Sequence, residues 1–202
     1  PITLTATKDT DKIVEGFKSF VEDYNKLIEQ LNDRINESAT YKKYAPLTEE
    51  QRKSMSDREV ELWEEKAKEG LLRNDSNISS FLSDMRTALY QSVDGAGLAL
   101  YDMGIETSDS WRDNGKLILD ESKLNAAIST NLDGVKKLMT DKEHGIGVLL
   151  DNAVKAAANV STGSPGSLVS YAGTKAVLTT DNSLYQQLTV SYTHLRAHET
   201  LA

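Results

Sequence analysis

Residues 11–36, DKIVEGFKSFVEDYNKLIEQLNDRIN, decide the fold class. Ile13, Phe17, Phe20, Tyr24, Leu27 and Leu31 recur at alternating steps of four and three, the a/d spacing of a helix that lays one apolar seam against a partner. Val14, Val21, Ile28 and Ile35 widen that seam on one side, and Lys, Glu, Asp and Asn fill the outward positions. At about 1.5 Å per residue the helix would run ~39 Å, long for a globular domain and natural for a rod-like bundle. Two destinations suit the seam: packing inside its own subunit, which accounts for most of it, or coiled-coil contact between subunits, with flanking charges choosing the partner.

Composition narrows the function classes. The chain has 202 residues, 31 acidic and 23 basic, for a net charge of −8. A nucleic-acid binder concentrates Lys and Arg to neutralise phosphates, and here the basic residues are scattered among more numerous carboxylates. No window approaches the ~18 consecutive apolar residues of a membrane-spanning helix. The absence of Cys removes disulfides, thiol nucleophiles and Cys-containing zinc sites. An apolar share of 39% with only 6% aromatics predicts elongated helices with thin seams rather than one thick core. The chain opens Pro1-Ile2-Thr3 without an initiator Met, a basic n-region or an apolar h-region, which reads as a processed chain or a fragment.

Outward from the long helix, residues 1–7 alternate apolar and polar in the manner of a strand. Downstream, Tyr41-Lys42-Lys43-Tyr44 leads into Pro46 and then two capping boxes, Thr48-x-x-Gln51 and Ser56-x-x-Glu59. They predict helices over 48–54 and 57–68, the second ended by Gly70, with Val60, Trp63 and Ala67 facing inward. Asn74 or Asp75 caps the next helix, whose face carries Ile78, Phe81, Leu82, Met85 and Leu89. A small β element is expected over 98–119: a hairpin with Thr107–Trp111 as one strand, Asp113-Asn114-Gly115 as the turn and Lys116–Asp120 as the other. Asp120 caps a helix over 122–129, Asn131 or Asp133 starts another through Met139, and Gly145 and Gly147 open one over 148–158. Thr180 or Asp181 would cap a last helix.

The tail is of another kind. Residues 190–200, Val190-Ser191-Tyr192-Thr193-His194-Leu195-Arg196-Ala197-His198-Glu199-Thr200, look like the translation of a transposase-end adapter used in DNA library preparation, so 189–202 is read as sequencing read-through rather than native chain. That removes His194 and His198 as a zinc pair, which also lacks the Glu a zinc protease places after its first His, since Leu195 stands there. Glu49-Glu50, Glu64-Glu65 and Asp141 with Glu143 read as solvated faces and caps. Gly145-Ile146-Gly147 lacks the strand and third Gly of a dinucleotide fingerprint, and Asp9-x-Asp11 lacks the later ligands of a calcium loop. No catalytic, metal or cofactor-binding constellation emerges, and the chain is expected not to be an enzyme.

Three blocks carry a resemblance. They are Phe20–Ile28; Tyr41–Thr48 continuing to Leu62–Asp75; and Asn114–Leu124 followed by Asn131-Leu132-Asp133-Gly134-Val135. Together they resemble the C-terminal region of the bacterial flagellar filament cap family over essentially residues 1–188. The resemblance implies a mainly α, elongated helical bundle, a coiled-coil-like leg domain over 11–188, with a helical insertion at 38–70 and a small β element at 98–119. Residues 1–10 would be the end of a missing β-rich head. It further implies export through the flagellar secretion channel to the extracellular filament tip, a ring-shaped, pentamer-like homo-oligomer, and contact with flagellin and other axial proteins, with no nucleic acid, membrane or cofactor. Ile13, Phe17, Phe20, Tyr24, Leu27 and Leu31 are then the expected helix-packing and self-association seam. The alternative is a surface adhesin segment binding host mucin or matrix; a peptidoglycan or zinc hydrolase is a more distant one.

Overall fold

A computed structural model describes residues 10–172 of the chain. The strand expected at 1–7, the helix expected beyond Asp181 and the tail with His194 and His198 lie outside the described residues. Among the described residues the elements are α1 (Thr10–Asn36), α2 (Glu49–Ser54), α3 (Asp57–Lys68), α4 (Ser76–Leu89), β1 (Ile105–Thr107), β2 (Leu117–Leu119), α5 (Glu121–Thr140) and α6 (Ile146–Ala158). Short 3-10 turns at Thr40–Lys42, Tyr101–Met103 and Trp111–Asp113 join them. The protein is mainly α, with one two-stranded antiparallel sheet among the described residues.

The chain divides into two compact units. One joins residues up to Asp33 with Ser80–Lys155; the other joins Arg34–Ser79 with residues from Ala156 on. In the first unit α1 buries Val14, Phe17, Val21, Tyr24 and Ile28. The buried stripe is therefore centred on the 14/21/28 row together with Phe17 and Tyr24. Ile13, Phe20, Leu27 and Leu31 are half-buried beside it. Both rows satisfy the same helical period, and which of them lies innermost is set by the elements that cover α1. The rest of this unit's core comes from Phe81, Met85, Ala88 and Leu89 of α4, Met103, Ile105 and Leu117 of the β region, Leu124, Ile128, Val135 and Leu138 of α5, and Ile146 of α6. No polar or charged residue is fully buried among those described. Each of the Val, Leu, Ile, Phe and Met side chains in this core contributes roughly 1.5–3 kcal/mol by leaving water.

The hairpin differs from its expectation. Its strands pair Ile105 with Leu119, Glu106 with Ile118 and Thr107 with Leu117, so the first strand lies N-terminal to the expected 107–111. Residues 108–116 form the connection. Asn114 and Gly115 do take the left-handed conformation (φ 51° and 89°) that an Asn-Gly pair favours. They sit, however, at the end of a wider loop whose Trp111–Asp113 stretch winds into a 3-10 turn. Strand extent follows burial: Ile105 and Leu117 reach the core, whereas Trp111 stands 82% exposed outside it.

α5 contains the expected break. Asn131 leaves the helical region (φ −144°, ψ 59°), accepts a hydrogen bond from the Gly134 amide (2.9 Å) and donates to the Ala96 carbonyl (3.1 Å). It therefore N-caps the second half of the helix. Asp120 caps the first half through the amides of Ser122 and Lys123.

In the second unit both capping boxes form as their spacing predicts: Thr48 with Gln51, and Ser56 with Glu59. α3 packs on the 3-10 turn at Thr40–Lys42. The Trp63 indole donates to the Ala45 carbonyl (2.8 Å) and meets Tyr44 edge to face at 4.9 Å. Gly70 ends the segment with φ 82°, where a Cβ would lie 2.3 Å from the Ser38 carbonyl oxygen. Asp75, rather than Asn74, caps α4 through the amides of Asn77 and Ile78.

Candidate assembly surface

α1 supplies the seam that the sequence singles out. Phe17 and Tyr24 are buried within the first unit, and Ile13, Phe20, Leu27 and Leu31 flank them half-exposed. Phe20 and Tyr24 rings lie 6.3 Å apart in a tilted pair. Burial pushes the Tyr24 phenol up to about 12, partly opposed by the Arg86 guanidinium, so it stays a neutral packing group at physiological pH. A single helix thus offers two parallel apolar rows, one spent on its own core and one still partly open.

Asn25 ties this helix to the sheet. Its side-chain amide donates to the Leu117 carbonyl (2.8 Å) and its oxygen accepts from the Leu117 amide (2.6 Å). The side chain imitates a neighbouring strand's peptide unit and closes the outer edge of β2, a position that otherwise invites strand pairing. Lys116 reaches back to Glu29 at 2.9 Å, and that hydrogen bond raises its ammonium pKa. Lys18 pairs with Glu121 at 2.7 Å, and Lys123 with Glu106 at 3.1 Å. These exposed pairs each contribute little to stability, ~0–1 kcal/mol; they bridge the hairpin to α1, α1 to α5, and β1 to α5.

Beside β1 lies an apolar groove of about 470 Å³, walled by Leu89, Leu100, Ile105 and Leu117. Tyr90 and Tyr101 also line it, both largely exposed. The adjoining loop presents Trp111, 82% exposed, with the Arg112 guanidinium 5.4 Å from the ring centroid. Sequence periodicity does not reveal the groove, the loop-borne Trp111 or the Asn25 contact. The only signal for Asn25 is an amide at the border of an apolar stripe.

In the second unit Glu37 accepts from the Gly70 amide (2.9 Å) and from Arg34 (2.7 Å), and these bonds, the Gly70 one foremost, hold its carboxyl below the usual range. Glu69 is lowered likewise, first by Lys66 and then by Thr40. Among the described residues no group of three or more His, Asp or Glu side chains converges to hold a metal, and no helix is long and apolar enough to cross a membrane. His144 is exposed, its amide bonded to the Asp141 carboxylate; that bond, with one from Glu143, lowers the Asp141 pKa. Glu49, Glu50, Glu64 and Glu65 lie on the helix faces of α2 and α3.

The described residues form a mainly helical fold in which α1 carries one buried apolar row and one half-exposed row. A family model described as "Flagellar hook-associated protein 2 C-terminus" matches residues 1–195, and the chain belongs to that family. The match runs past Leu188 into the stretch read above as adapter. Among curated relatives, flagellar hook-associated protein 2 of Halalkalibacterium halodurans is 45% identical over 139 residues, covering 68% of this chain and 26% of the relative. Its Thermotoga maritima counterpart is 30% identical over 157 residues, covering 75% of this chain and 23% of the relative. The B-type protein of Pseudomonas aeruginosa is 28% identical over 141 residues, covering 69% of this chain and 24% of the relative. The chain thus spans about a quarter of the length of the curated relatives it matches. In fold it is similar to the Escherichia coli flagellar cap protein FliD (domains D1-D2-D3), with a TM-score of 0.53 at 23% identity, over 80% of this chain and 38% of that one.

Proposed function

We propose that the chain is the helical leg portion of a flagellar filament cap, which self-associates as a ring at the extracellular filament tip and promotes flagellin polymerisation there by packing rather than catalysis. Membership of the flagellar hook-associated protein 2 family over residues 1–195 carries this reading. The geometry supports it through α1, which keeps Ile13, Phe20, Leu27 and Leu31 half-exposed beside a fully buried row. A helix whose two apolar rows are unequally spent can hold its own subunit together with one and meet another axial subunit with the other. The rim of such a contact would be the Lys, Glu and Asp of α1, which set partner and register.

The leg domain is taken as 11–188, with 38–70 as its helical insertion and 98–119 as its small β element. The test is genetic. The completed gene, placed in a cap-deficient strain of a related bacterium, restores filament growth; normal export of the protein with no filament growth overturns the reading. In the same assay Phe20→Ser with Leu27→Ser is expected to reduce filament length with export unchanged, because the substitutions remove the half-open row and leave the buried one intact.

A further inference from the structure

We propose that the Trp111–Arg112 tip of one copy docks into the apolar groove beside β1 of a second copy. This contact rests on the self-association reading above and names a surface for it outside the α1 seam.

The tip is built to present its side chain. The Ser108 amide donates to the Lys116 carbonyl (2.8 Å), the Asp113 amide to Ser110 (3.0 Å) and the Lys116 amide to Asp113 (3.0 Å). The Ser108 hydroxyl bonds the Asp113 carboxylate, and Lys116 anchors the loop base to Glu29. An ordered turn therefore holds a tryptophan 82% exposed. Its ordering entropy is already spent in the free chain, which is what a preorganised contact requires. Trp and Arg are the side chains most enriched among residues that dominate interface energies, and here the two are stacked on each other.

The groove has the matching chemistry. Its walls are aliphatic, its volume is about 470 Å³, and Tyr90 and Tyr101 stand at 66% and 64% exposure among its lining. Glu106 is the one charged residue that lines it. Glu106 engages Lys123 through Oε1, and among the described residues its other oxygen makes no hydrogen bond or ion pair. Arg112 makes no ion pair among the described residues. Seating Trp111 would remove roughly 150–250 Å² of aromatic surface from water, with Gln91, Ser92 and Glu106 at hand to accept its indole N–H. Knob and groove belong to one hairpin region, yet Trp111 is not among the residues that line the groove of its own chain. The chain is therefore complementary to a copy of itself.

The chain contains no Cys, so cross-linking tests the contact without background. Ser110→Cys in one tagged copy and Ser92→Cys in an untagged copy are mixed and oxidised. The expected result is a disulfide-linked pair carrying both chains, reduced about tenfold or more when the Ser110→Cys copy also carries Trp111→Ala. A tryptophan emission shift to shorter wavelength with rising concentration, lost in Trp111→Ala, is the second expected readout. No mixed cross-link between folded variants overturns the proposal, as does a cross-link indifferent to Trp111→Ala. So does a groove closed to Ser92→Cys labelling in a longer chain, which would assign it to a segment of the same polypeptide. The ring reading stands or falls separately, on filament growth.

Discussion

Asn25 shows how much one side chain can hold. Its amide makes two hydrogen bonds to the backbone of Leu117, 92 residues away in sequence, and Asn25→Ala leaves a part-buried amide and carbonyl without partners. Each unmet group costs about 1–3 kcal/mol, so the variant should lose about 2–4 kcal/mol, read as a lower urea midpoint at unchanged slope. A shift below 0.5 kcal/mol would mean that water replaces the amide without cost. Glu37 makes the corresponding electrostatic contact in the other unit. Its pKa is depressed by the Gly70 amide and Arg34. The stability it contributes is therefore fully present above the unfolded carboxyl value and lost as pH falls through the lower folded one. Glu37→Gln should then be less stable than the parent at pH 6, with the gap narrowing toward pH 3; a gap independent of pH would contradict this origin.

At the scale of elements, local chemistry explains most boundaries. Both capping boxes sit where Thr48 and Ser56 precede Gln51 and Glu59 by three residues, and reciprocal bonding of orphan amides is available to no other register. α5 shows a cap acting inside a longer helix. Asn131 bonds Gly134 while holding the Ala96 carbonyl, and at Gly134 a Cβ would lie 2.3 Å from both that carbonyl and the Asn131 amide. Asn131→Ala should cost about 1–3 kcal/mol, the loss of a cap plus a tertiary acceptor. Asn131→Ser, which keeps the cap but cannot reach Ala96, should recover part of it. Equal stability of the two variants by urea denaturation would assign the whole effect to the tertiary bond or to propensity.

Across the molecule, the two rows of α1 should separate in measurement. Ile28 is 3% exposed and Ile28→Ala should destabilise by about 2–4 kcal/mol through lost burial and a residual cavity. Phe20→Ser, in the half-exposed row, should cost less than half of that while weakening self-association measured by light scattering. If the two substitutions destabilise equally, the rows are not functionally distinct.

The helices, their caps and the mainly α class were legible in the sequence because helical period and capping are contacts between residues three or four apart. The hairpin was legible as a pair of strands but displaced, since the Asn-Gly signal marks a turn and says nothing of where pairing stops. That depended on Ile105 and Leu117 reaching the core and Trp111 remaining outside it. The choice between the 14/21/28 row and the 13/20/27 row likewise belonged to tertiary structure, because both fit one helical period and only the covering elements break the tie. The sequence by itself determined most of the described helices, where three of them start through Thr48, Ser56 and Asp120, and that no cysteine chemistry is available. Only the folded chain decided which apolar row is spent, that Asn25 closes a strand edge, and that Trp111 stands on an ordered loop near a groove, because each of these depends on residues brought together from tens of positions apart.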